Sequence, residues 1–332
     1  MSGQVDLFGN AATGRSAVAA VDPGDELRAL AAQIPRGLRF GTSTWSFSGW
    51  QGIVYGGDYD ETKLARDGLA AYAVHPLLRS VGVDRSFYAP LNDKTLQRMA
   101  AATSPDFRFL IKAHAALMLP KSARRPEYLE GVPDVFLDAD YARRAVIEPA
   151  LRRLGERLGV ILFQFSPLGD RVLRYRQELL LRLEGFLAAL PREAKYAVEW
   201  RDRAMLGNDL ADLLARHGVA HGFAAHSRLP PVDEQSPLEA DADCPLVIRW
   251  LLAPGLGYEE ARAAYAPFDR IVDPDPKTRR QIAQLARKAL TQGRQTIVII
   301  NNKAEGSAPL SVAALAKEFV QTVNAADPPA LQ

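Results

Sequence analysis

The sequence predicts an α/β fold, a single (β/α)8 TIM-like barrel, on three observations. Eight apolar runs of strand length recur between residues 38 and 301, and helical patterns separate most of them. The runs are apolar on consecutive residues, as in VILFQF and TIVII, which a strand covered on both faces requires. The phosphate-cradling loops of a doubly wound sheet are missing, since no GxGxxG follows a strand and no GxxxxGK[ST] occurs.

The candidate strands are 38–43, 80–84, 107–112, 159–165, 195–200, 218–223, 246–251 and 296–301. Helices are expected over 61–74, 92–102, 138–158, 170–190, 208–217, 277–290 and 309–323. In the third of these, Ile147, Leu151, Leu154 and Leu158 follow at spacings of four, three and four, which places them on one stripe. Leu179, Leu183, Phe186 and Leu190 repeat that spacing in the next helix. Gly159, Gly218 and Gly293 sit where a helix must stop before a strand. Residues 224–245 are polar and contain proline, with no helical pattern, so the barrel is expected to be irregular around strand six. Residues 1–35 read as a flexible N-terminal tail with a turn or two of helix near 25–34. Residues 36–325 read as the barrel domain and 326–332 as a C-terminal tail.

Of 332 residues, 48% are apolar, enough for a large core, and 41 basic against 39 acidic residues leave a net charge of +2. That balance excludes a histone-like chain and a core-poor disordered one, but not a local basic groove. A single cysteine, Cys244, excludes a disulfide framework and any multi-cysteine metal site. No apolar run reaches the ~18 residues a membrane span needs. The N-terminus lacks the basic and apolar regions of an export signal, so the expected location is cytoplasmic with no membrane partner.

In such barrels chemistry gathers where strands run into loops at their C-terminal ends. There the sequence places Trp45 and Trp50 after strand one, Asp84 and Tyr88 after strand two, and Lys112 and His114 after strand three. Gln164 follows on strand four, Glu199, Arg201 and Asp202 around the end of strand five, and His226 and Arg228 after strand six. Arg249 and Trp250 end strand seven, and Asn301, Asn302 and Lys303 end strand eight.

These segments resemble the family of domain of unknown function 72, the YecE-like TIM-barrel proteins. The resemblance is carried by GTSTWSFSGWQGIVY, SFYAPL, FRFLIKAH, LGVILFQFSP, YAVEWRD and IINN, in the family's order, over about residues 38–323. It implies a barrel and no established reaction. Two departures stand out. Gly82 and Asp84 occupy the places of a frequent Glu-x-Asn, and Trp250 and Leu251 follow Arg249 where the family often has His-Gly.

The leading expectation is an enzyme acting on a phosphorylated or nucleic-acid substrate, with phosphodiester hydrolysis at DNA lesions, a DNA repair role, as its sharpest form. Glu199 is the candidate acid–base group, its charge favoured by Arg201 and Lys112. Lys112, Arg201 and Arg249 would orient anionic groups, Gln164, Asn301 and Asn302 would hydrogen-bond, and Trp45 and Tyr88 would stack, with Asp84 beside them. Competing readings are a structural ion pair at Glu199, a snorkelling Lys112 and aromatics that only cap the barrel. Trp200 alternates with Glu199 and is assigned to the core. No cofactor motif is evident. Asp84, Glu199, His114 and His226 form the arithmetical set for a divalent metal, although loop histidines in solvent account for both imidazoles. The loop 113–137, with Lys121, Arg124 and Arg125, is of the length of a lid or binding loop.

Gln4, Leu7 and Phe8 match the Gln-x-x-Leu-Phe form of a bacterial sliding-clamp binding motif, whose apolar pair fills a cleft on docking. Two alternatives therefore stand beside the enzyme. One is a non-catalytic, DNA-associated binding protein tethered to the clamp, and the other an enzyme acting on a sugar or polyol.

Overall fold

The computed structural model describes residues 17–235 and 244–326. Eight strands close into a parallel barrel in sequence order: β1 Leu38–Thr42, β2 Leu78–Val83, β3 Arg108–Lys112, β4 Leu158–Phe165, β5 Tyr196–Trp200, β6 Ala220–Ala225, β7 Leu246–Trp250 and β8 Thr296–Ile300. β1 pairs with β8 over its whole length, so no edge is left open.

The pleat sorts each strand into two faces. Leu110, Val160, Leu162, Ala197, Ala220, Val247, Ile297 and Ile299 point inward and form a closed cluster with Cys244. Phe109, Phe163, Val198, Trp200, Ile248, Trp250 and Val298 belong to the larger core beneath the helices. One step of two residues beyond the inward set lie Lys112, Gln164, Glu199 and Arg249, so the apolar filling changes abruptly to charge at the C-terminal end. Gly222 makes room there, because a Cβ on it would stand 3.0 Å from Cβ of Glu199.

The helices are α1 Gly24–Ala32, α2 Glu61–Asp67, α3 Leu69–Ala73, α4 Asp93–Ala101, α5 Ala139–Ala142, α6 Glu148–Leu154, α7 Asp170–Leu173, α8 Arg176–Ala188, α9 Asn208–Arg216, α10 Tyr258–Tyr265, α11 Pro276–Thr291 and α12 Ala308–Ala326. Side chains of Asp60, Asn92, Asp138 and Asp275 accept backbone N–H bonds and start α2, α4, α5 and α11. The single helix expected over 138–158 is interrupted by a π-helical stretch at Arg143–Ile147. Pro149 follows it, and a proline that lacks an N–H and crowds the carbonyl four residues earlier breaks the regular ladder.

Three further departures from expectation have local causes. Residues 17–35, assigned above to the flexible tail, are packed on the barrel. Val21 N–H donates to the Val54 carbonyl at 3.0 Å, Leu30 and Ile34 are buried, and Lys317 on α12 pairs with Glu26 on α1 at 2.9 Å. The loop 113–137 is not structureless: Ala115–Leu117 and Glu127–Leu129 form 3-10 turns, and Leu117, Leu129 and Phe136 are buried. α10 was not foreseen between strand seven and α11.

The irregularity at strand six is present. Among the described residues only a 3-10 turn, Val232–Gln235, follows β6 before the next strand. β5 and β6 pair only at Ala197 with Ala220 and Val198 with His221. Near the mouth the Gln235 side chain takes over: its Oε1 accepts from Ala224 N–H at 3.4 Å and its Nε2 donates to the Ala224 carbonyl at 3.2 Å.

Candidate functional site

Side chains from four strand ends meet at the C-terminal mouth of the barrel. Glu199 on β5 is fully buried. Arg249 on β7 donates to both its oxygens, at 3.2 and 3.1 Å, and Arg201 Nε donates to Oε1 at 2.6 Å. Arg249 also donates to Asp84 at 3.2 Å, just past the end of β2. Lys112 Nζ lies 3.7 Å from the same Asp84 oxygen and 4.0 Å from the centre of the Phe87 ring. Lys112, Glu199 and Arg249 form the floor, while the partly open Asp84 side chain and the edge of Arg201 reach solvent.

The electrostatics follow from this count of charges. Burial works against a charge on Glu199, but Arg201, Arg249 and Lys112 together outweigh it and hold the carboxyl below the usual range. Burial lowers Arg201 from its ordinary value and opposes the charge on Arg249, where Glu199 and Asp84 more than compensate and raise it. Lys112 is the group that moves into the neutral range. Burial pushes it down to about 8, aided by Arg249 and Arg201 and resisted by Asp84 and Glu199. Three cations share two carboxylates, so one positive charge remains uncompensated when Lys112 is protonated. Arg249 Nε is buried with no protein hydrogen-bond partner.

The remaining candidate residues divide. Gln164 is beside Glu199 in the β4–β5 register, but its amide donates to Ser166 Oγ at 3.2 Å. Tyr88 stands at the rim, 55% exposed, in a tyrosine pair with Tyr128 at 5.0 Å. Its hydroxyl is raised by burial and by Asp84 and Tyr258. Asn301 follows β8, and its side chain accepts from Lys303 N–H at 3.0 Å. Two expected ligand contacts are corrected. Asn302 is buried, its Oδ1 accepting from Trp50 Nε1 at 3.1 Å and from Ala308 N–H at 2.8 Å, so it ties loop to helix. Trp45 is also buried, donating to the Leu64 carbonyl at 3.1 Å beneath Arg85, so its face is not free to stack on a ligand. Trp200 lies in the core, stacked on Phe165 with ring centres 3.8 Å apart.

The arithmetical metal set does not assemble. Among the described residues no three His, Cys, Asp or Glu side chains are grouped to hold an ion. His114 is 2.7 Å from the Tyr141 hydroxyl, and Glu199 is committed to two guanidinium groups. His226 accepts from Arg228 N–H at 3.1 Å and is lowered to about 4 by burial, Arg201 and Arg228. Gln4, Leu7 and Phe8 lie outside the described residues. Among the described residues no helix is long and apolar enough to cross a membrane.

Phe87, whose ring covers the Lys112 ammonium, is the aromatic next to Tyr88, and sequence reasoning missed Tyr258, which faces Lys303 at 4.1 Å. Phe87 was legible, since it sits one residue before a site candidate, whereas Tyr258 belongs to the unforeseen α10.

The family model described as protein of unknown function DUF72 matches residues 39–332. A DUF72 family protein from Thermotoga maritima MSB8 superposes with a TM-score of 0.57 at 18% identity, covering 86% of this chain and 99% of its own. Another from Enterococcus faecalis V583 gives 0.55 at 14% identity, covering 86% and 95%. Among curated proteins none matches.

Proposed function

The chain belongs to the DUF72 family, and from that premise we propose that its barrel mouth is an enzyme site for a phosphorylated substrate, with Lys112 as the proton-transfer group. The observation that carries this reading is the surplus cation: Lys112, Arg201 and Arg249 against Asp84 and Glu199, at the C-terminal ends of the strands. A phosphate arriving over Asp84 meets Arg201 first and Lys112 beneath it, and its charge completes the balance that the two carboxylates leave open.

Glu199 does not suit the acid–base role first assigned to it. Two guanidiniums occupy its oxygens and stabilise the anion, so it is a weak base and is not protonated near neutral pH. It is a positioning residue that fixes Arg201 and Arg249. Lys112, at about 8, is present in both protonation states near neutrality. The simplest reaction for this set is phosphoester hydrolysis. Water adds to phosphorus, the bond to the leaving oxygen breaks, and the Lys112 ammonium protonates that oxygen. The proton released by the water restores Lys112, and the arginines hold the charge that builds on the phosphoryl oxygens.

The test is a panel of phosphate esters, with matched unphosphorylated sugars and polyols, followed by calorimetry and by phosphorus NMR. Phosphate esters bind and turn over, Arg201→Met weakens binding about tenfold, and Lys112→Met, which removes the surplus charge, weakens binding and costs roughly 10²-fold or more in kcat. Equal binding of the unphosphorylated compounds overturns the reading.

A further inference from the structure

A second basic surface lies outside the barrel centre. The loop 113–137, α7 and the first turns of α8 enclose a groove of about 460 Å³. Arg171, Arg174 and Arg182 line it against a single acidic residue, Glu178, and Phe136, Leu179 and Tyr175 supply its apolar surface. Arg182 lies over the Phe136 ring at 4.9 Å. Lys121 and Arg124, on the loop that forms one wall, are exposed.

Many arginines on the neighbouring helices are paired with carboxylates. Arg176 pairs with Asp209, Arg152 and Arg153 with Asp93, Arg216 with Glu184, and Arg143 with Asp140 and Glu148. Arg171, Arg174, Lys121 and Arg124 have no carboxylate partner among the described residues. These four cations face solvent on the groove or on the loop that walls it.

Tyr175 gives the groove a second character. Its ring is 60% exposed, yet its backbone is held at both ends: its N–H donates to the Val172 carbonyl and its carbonyl accepts from Leu179 N–H, each at 3.0 Å. A flat face fixed beside guanidinium groups suits a base stacked above a phosphate chain. The same loop carries Tyr128, whose ring meets Tyr88 at 5.0 Å on the rim of the mouth.

We propose that this groove binds single-stranded nucleic acid, its phosphates on Arg171, Arg174 and Arg182 and a base on Tyr175. A ring-free polyanion would use the arginines but not the tyrosine, and a neutral aromatic ligand would use only the tyrosine. The groove presents both. It does not depend on the reaction at Lys112, and the two are separable by mutation.

The experiment is fluorescence anisotropy of the full chain with labelled dT12 at salt concentrations between about 50 and 200 mM. Tyr175→Ala weakens binding about 5- to 150-fold while Tyr175→Phe retains it. Arg171→Gln with Arg174→Gln makes the slope of log affinity against log salt shallower by roughly 1.4. Lys112→Met leaves dT12 binding unchanged, and thermal melting confirms that each variant is folded. The proposal is overturned if Tyr175→Ala binds as the parent does while inorganic polyphosphate displaces dT12, or if the double arginine variant keeps the parental slope.

Discussion

The two ends of the barrel use arginine in opposite ways. At the N-terminal end the guanidiniums mostly hold backbone. Arg39 donates to the Asp106 carbonyl and carboxylate, Arg79 to the Ile34 and Pro35 carbonyls, Arg157 to the Thr103 and Ser104 carbonyls, and Arg294 to the Cys244 carbonyl. At the C-terminal end Arg201 and Arg249 hold carboxylates, and a buried lysine lies beside them. A guanidinium on carbonyls stitches a loop to a strand, and its charge stays satisfied whatever the mouth binds. A guanidinium on a shared carboxylate is part of a charge balance, which a ligand can alter. The contrast agrees with the division of such barrels into a stability face and a chemistry face.

The largest break in that contrast comes at the mouth. Glu199→Gln removes the anion that both arginines share and leaves two buried cations poorly matched, a loss of about 3–5 kcal/mol. Urea unfolding measures it, and an unchanged midpoint would mean that the cluster is not a balanced unit.

Next in size is a pH effect at Lys112. Its folded value, about 8, is below the ordinary 10.5, so between those limits the unfolded chain holds more protons than the folded one. Stability from this group therefore rises with pH across that window, by ~3 kcal/mol in all, and the cost of burying the ammonium is fully felt below pH 8. Lys112→Met flattens the rise, which chemical denaturation at a series of pH values follows.

The smallest effect is at the opposite end. Arg39→Met loses charged hydrogen bonds for about 1.5–3 kcal/mol and leaves ligand binding at the mouth untouched. A change in phosphate affinity in that variant would erase the distinction between the two ends.

The strands were readable because a barrel strand is apolar on both faces, and the position of Glu199, Lys112 and Arg249 followed from that reading. What the pattern did not contain was occupancy. Arg201 is two residues from Glu199, but Arg249 is fifty away, and only barrel closure shows that both claim one carboxylate. Trp45 and Asn302 failed for a related reason. Once a chain leaves its strand, side-chain direction depends on the turn, and here the turns send the Trp45 indole to Leu64 and the Asn302 amide to Trp50. Residues 17–35 were misjudged because the short stripe of Leu27, Leu30 and Ile34 finds its packing partners in the barrel and not nearby in sequence.

Gln235 has a consequence for how this barrel can diverge. A primary amide both gives and takes a hydrogen bond, as a peptide unit does, and it answers both backbone groups of Ala224. A carboxylate there has nothing to give and an ammonium nothing to take, so neither can serve as the clasp. The nine residues between Ala225 and Gln235 are thereby fastened at their root, and a change at the exposed Ser227, Arg228 or Pro231 leaves the sixth strand seated.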